Sequence, residues 1–181
     1  MDGNRDKTMT QDWMNSKLLI GGIALLLIVV TLATSYYGST DIGDYSDVSK
    51  FFAGEYSAKI RSSHSYLLGF VHAPFVALLG NFIAFKISSL IFLAFLVFSV
   101  YSITKRDPHA LWLMLLSPIV WYMAPWINPI QIASIFLLWA WHYMRKYHEE
   151  NKFSSLIISG ILIGLGWAFW DTILYFGIIL G

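Results

Sequence analysis

Residues 66–103 read YLLGFVHAPFVALLGNFIAFKISSLIFLAFLVFSVYSI. This apolar stretch is interrupted by one ionised side chain, Lys86, and by His72. A bilayer core about 30 Å thick takes roughly 20 apolar residues per helix. The stretch is therefore too long for one crossing and short for two. The basic residues decide how to divide it, because cytoplasmic loops collect Lys and Arg. Three basic clusters stand out: Arg5, Lys7 and Lys17; Lys105 and Arg106; and Arg145, Lys146 and Lys152. All three fall on one side if 82–103 crosses once and 66–80 does not. Gly69, His72 and Pro74 suit a segment that stays out of lipid. The expected arrangement is an outer-face interfacial or shallow re-entrant helix over 66–80, then a crossing over 82–103.

Working outward, 18–37 is a first span ending in the interfacial pair Tyr36–Tyr37. It is too long for a signal-peptide core and is read as a retained anchor. The polar outer loop runs 38–81 and contains DIGDYSDVSKFFAGEYSAKIRSSHS, residues 41–65. After the turn KRDPH come short spans at 110–124 and 127–144, separated by Pro125–Trp126 and Asn128–Pro129. A last span, 153–180, follows RKYHEENK. The sequence thus predicts an all-α integral membrane protein with about five transmembrane helices. The amino terminus is cytoplasmic, and the interfacial helix lies between the first and second spans. The last helix reaches Gly181 without a polar flank and reads as cut short.

Composition agrees. Of 181 residues 57% are hydrophobic and 13% charged, where soluble domains carry about 25% charged. Too little polar surface is left for a soluble globule, and too little charge for a disordered chain. A net charge of +1 excludes a nucleic-acid binder. With no cysteine there is no disulfide framework or thiolate chemistry.

In this topology the polar groups gather outside: Asp41, Asp44, Asp47, Glu55, Lys59, Arg61, His64, His72, Lys86, Asn128, Gln131 and Asp171. Asp41 and Asp44 follow the first span closely. Two such carboxylates can share a cation, or one can act as a general base. Alternatively they form a solvated cap, with Asp44 or Ser46 starting a helix over 47–58. Arg61, His64 and His72 can hold a phosphate; otherwise Lys59 and Arg61 meet lipid headgroups and His72 makes a local hydrogen bond. Asp171, at the boundary of the last span, faces a cavity or is simply a solvated helix end. Gly160, Gly164 and Gly166 form a small-residue packing face. The tryptophans at 112, 121, 126, 139, 141, 167 and 170 read as interfacial belt residues.

The order of features resembles the amino-terminal portion of the GT-C superfamily of polytopic glycosyltransferases, most nearly the dolichyl-phosphate-mannose-dependent mannosyltransferases. The residues that carry it are Asp41-Ile-Gly-Asp44-Tyr45, then FFAGEY, HSYLLGFVHAPF and the segment WINPIQIASIFLLWAWHYMRKYHEENKFSSLIISGILIGLGWAF. The family's Tyr-Pro-Pro element is reduced here to His72-Ala-Pro74, and a lysine common near the outer end of its fifth span is replaced around Trp170–Asp171. The resemblance implies sugar transfer from a polyprenyl-phosphate donor on the extracytoplasmic side. Asp41 or Asp44 would be the base, or would hold a divalent metal (Mg or Mn). Arg61, His64 and Lys86 would bind the donor phosphate, and Asp171 the acceptor. The partners implied are the lipid-linked donor, membrane lipid and a further polypeptide completing the fold. The alternative is a non-catalytic membrane subunit that binds a partner or a lipid-linked sugar.

Overall fold

A computed structural model describes residues 3–35, 42–57 and 66–170, with side chains over 17–35, 43–57, 66–80 and 82–170. Every regular element among them is helical: α1 Gly3–Ala33, α2 Ile42–Phe52, α3 Tyr66–Leu79, α4 Asn81–Ile103, α5 Pro108–Leu116, α6 Pro118–Met123, α7 Pro129–Glu150 and α8 Phe153–Phe169. Of these, the 22 residues Phe82–Ile103 form the one helix long and apolar enough to cross a membrane.

The helix ends follow local chemistry. Asp107 caps α5 by accepting from the His109 backbone N–H, ahead of Pro108 at the first position. Asn128 does the same for α7, ahead of Pro129, and the left-handed Asn151 closes that helix. At the end of α2, Gly54 takes φ +102°, which lets the Glu55 N–H reach the Lys50 carbonyl at 2.9 Å.

Between α3 and α4 the chain reverses at Gly80, whose φ of +76° and ψ of 169° suit glycine alone. Helix α3 then folds back along the first half of α4, and α2 packs on α3. The α2–α3 approach is closest at Gly69, where a methyl group would overlap the Val48 side chain and come within 3.0 Å of its backbone carbonyl carbon. Helix α4 also packs against α7, α7 against α8, and α1 against α4 and α5.

Several boundaries differ from those expected. The first helix ends at Ala33, short of 37. The second spans Ile42–Phe52 instead of 47–58, so Asp44 and Ser46 lie inside it rather than capping it. The span expected over 110–124 is two short helices broken at Ser117–Pro118, where proline offers no N–H. Helix α7 starts at Pro129 and runs on through the basic segment to Glu150. Of 153–180, the described part is helical to Phe169. Nor do all three glycines of α8 pack: Gly160 and Gly164 face open space and Gly166 is buried. The α7 contact instead uses Ser159, whose hydroxyl donates to the Ala140 carbonyl at 2.9 Å.

Candidate functional site

The main core lies where α2, α3, the start of α4, the start of α7 and the end of α8 converge. Leu68, Val76, Ala84, Phe85, Ile127, Ile132, Ala133 and Phe169 are buried there, with Tyr45 and Trp170 packed against them. Three of these side chains are sequence neighbours of expected site residues: Tyr45 of Asp44, Phe85 of Lys86, and Trp170 of Asp171. Asp44 sits half-buried in the first turn of α2, where a carboxylate is favoured by the helix dipole. Lys86 is fully buried (0% exposed) on α4, its ammonium 5.3 Å from the Phe82 ring centroid. Its burial adds to the sequence expectation, which placed the lysine on the outer side without saying how exposed it is. Asp41, Arg61, His64 and Asp171 lie outside the described residues.

His72 is 1% exposed, and its Nδ1 lies 2.6 Å from Ser88 Oγ on α4. Ser88 Oγ also lies 2.8 Å from the Ala84 carbonyl; with its proton there, it accepts from the His72 tautomer protonated at Nδ1. The imidazole edge meets the rings of Phe85 and Phe92 at centroid distances of 5.5 and 5.3 Å. His72 is thus a cross-helix tie between α3 and α4.

Polar side chains also satisfy the backbone where helices break. The Trp121 indole N–H donates to the Leu115 carbonyl at 2.7 Å, next to the break at Pro118. Gln131 Nε2 donates to the Met123 carbonyl at 3.0 Å, and Ser89 donates to the Trp126 carbonyl. Trp139 Nε1 donates to Ser99 Oγ at 3.0 Å, joining α7 to α4. Trp121 and Trp139 are half-buried, with their indole N–H groups bonded within the helical bundle. Ser88, Ser89 and Ser99 had no role assigned from sequence. Three hydroxyls inside one long apolar helix were the available signal, since each must find an acceptor.

Among the described residues no three metal-ligating side chains come together, and Asp41 lies outside those residues. Asp47 pairs with Lys50 one turn on, at 3.6 Å.

No protein-family model, curated protein or solved structure matches the chain.

Proposed function

We propose that this chain is a multi-pass membrane protein that transfers a sugar from a lipid-phosphate donor on the extracytoplasmic side, or forms the amino-terminal module of such an enzyme. Large apolar side chains on several helices support the membrane reading, with Leu18 72%, Leu78 81% and Leu113 76% exposed. So does the way side chains satisfy carbonyls at the helix breaks. In hydrocarbon no water can do so, and a bare carbonyl there is costly. Placing 82–103, 110–123, 129–144 and 153–169 as crossings, with the first helix as anchor, puts the convergent core on the outer side.

The observation that carries the functional reading is that convergence: Tyr45, Phe85 and Trp170 share one core. It gathers the helix bearing Asp44, the helix bearing Lys86 and the end of α8 before Asp171. In this reading Asp41 or Asp44 removes the proton of the acceptor hydroxyl. Lys86, with Arg61 and His64, offsets the charge on the leaving phosphate. Asp171 binds acceptor hydroxyls. Alternatively, Asp41 and Asp44 would hold a divalent cation on the donor phosphate.

The test is transfer of labelled sugar from a polyprenyl-phosphate donor in membranes, normalised to folded protein. Asp41→Asn and Asp44→Asn should each lower the rate about 10²–10⁴-fold. Asp47→Asn, whose carboxylate is engaged by Lys50, should leave it near wild type. Wild-type rates in both Asp41 and Asp44 variants would sink the enzymatic reading.

A second reading, a non-catalytic subunit, is favoured by two apolar grooves along α4. One, of about 550 Å³, lies among α4–α7 and is lined by Leu96, Val120 and Leu137. The other, of about 620 Å³, lies between α1, α4 and α5 and is lined by Leu27, Leu90 and Leu115. Either suits a partner's apolar helix. Co-purification of a stoichiometric membrane partner, with no transfer by the wild-type pair, would select this reading.

A further inference from the structure

The turn at the far end of α4 keeps two long cations where its backbone suits glycine. Lys105 and Arg106 have φ of +57° and +67°, a region that non-glycine residues enter at a cost. The turn is fully hydrogen-bonded: Lys105 N–H to the Ser102 carbonyl at 3.2 Å, Arg106 N–H to Tyr101 at 2.8 Å, and Asp107 N–H to Thr104 at 3.2 Å. Both side chains are exposed.

The basic residues of α7 and the turn after it share two carboxylates. Arg145 pairs with Glu149 at 3.4 Å, Lys146 with Glu150 at 3.9 Å, and Lys152 with Glu150 at 2.7 Å. Asp107, beside the turn, is taken up by His109, with its Oδ1 2.9 Å from the backbone nitrogen and 2.8 Å from the ring. Among the described residues neither Lys105 nor Arg106 has an ion-pair partner. Half-buried Tyr101 and Trp112 flank the turn in sequence, amphipathic rings of the kind that settle at headgroup level.

We propose that the Lys105–Arg106 turn binds the phosphate of acidic phospholipid headgroups, at the end of α4 opposite the candidate site. The proposal rests on the multi-pass reading. A turn already hydrogen-bonded fixes the backbone under both cations before the lipid arrives, so binding has only the two side chains left to order.

The experiment uses the full chain in phosphatidylcholine vesicles with or without phosphatidylglycerol, reading the preference for spin-labelled phosphatidylglycerol over spin-labelled phosphatidylcholine. Each basic residue near an anionic surface contributes a factor of about five, so Lys105→Gln with Arg106→Gln should lower the preference by up to about 25-fold. Lys105→Gly with Arg106→Gly should lose it equally while raising thermal stability, because the backbone strain is relieved. Arg145→Gln with Lys146→Gln should keep most of it. Retention of the preference by the double Gln variant overturns the proposal, as does an equal loss in the Arg145/Lys146 variant. Abolition by excess soluble glycerophosphate overturns the lipid assignment. Release of the wild-type chain by alkaline carbonate overturns the multi-pass reading itself, whereas a retained chain without lipid preference overturns only this inference.

Discussion

His72 and Ser88 stand equally far in sequence on either side of Gly80, and their side chains meet at 2.6 Å. The contact is asymmetric in what its loss leaves behind. Removing the serine hydroxyl strands the His72 Nδ1–H in an apolar interior. Removing the imidazole leaves Ser88 still bonded to the Ala84 carbonyl. A buried unsatisfied donor costs about 1–3 kcal/mol. Ser88→Ala should therefore destabilise by that amount, and His72→Phe, which keeps a ring against Phe85 and Phe92, by less. The double variant should be more stable than Ser88→Ala alone. Unfolding of all four proteins in one detergent checks this; strict additivity would mean that the two side chains do not interact.

Lys86 separates stability from activity. Lys86→Met keeps the side chain's volume and removes its charge, so any change in unfolding reports the loss of the contacts that the ammonium makes in the interior. If the lysine serves the donor phosphate, sugar transfer should fall by about 10²-fold or more. A variant that unfolds readily, with activity per folded molecule intact, would make Lys86 purely structural.

Trp121→Phe should leave the Leu115 carbonyl without its indole donor beside the Pro118 break. The loss should be about 1–3 kcal/mol. Trp167, 52% exposed on α8, is the control, and its change to Phe should fall within about 0.5 kcal/mol of wild type. Equal effects at the two positions would show that the indole bond contributes nothing.

The start of α5 should respond to acid. Hydrogen bonds from the His109 backbone and ring hold the Asp107 carboxyl below its ordinary value of 3.8. A depressed folded value means that the cap's contribution is fully present above the unfolded value and is lost as pH falls through the folded one. Amide exchange at His109 and Ala110, corrected for intrinsic rate, should therefore quicken only below about pH 4. In Asp107→Asn, which caps without titrating, the quickening should disappear.

The bounds read from sequence for 66–80 and 82–103 lie within a residue of helices Tyr66–Leu79 and Asn81–Ile103; the division comes from the basic clusters, and the reversal at Gly80 is not read from them. The break at Pro118 was masked by a run of apolar residues on both sides. Facing was harder. In α4, Phe85 and Phe92 turn inward and Phe95 and Phe98 outward, although all four are equally apolar. Hydrophobic periodicity cannot say which side is packed when every side is apolar. For the same reason the partners of Ser88, Ser89 and Trp121 were not legible, nor was the burial of Lys86. The acidic motif was legible as a motif. That Tyr45 joins the core that holds Phe85 depends on α2 lying along α3, a long-range contact that no local pattern encodes.

The near-touch of Gly69 and Val48 makes that arrangement a matter of gearing. With no side chain between them, α2 has almost no play against α3, and α3 is pinned to α4 by its own reversal and by the histidine tie. A bulkier residue at 69 would act as a wedge at the hub. Because the acidic turn sits at the start of α2, a small tilt at Val48 would swing Asp44 through a larger arc. Substitutions at a position with no functional group should therefore read out as mis-aimed carboxylates in a chain that remains folded.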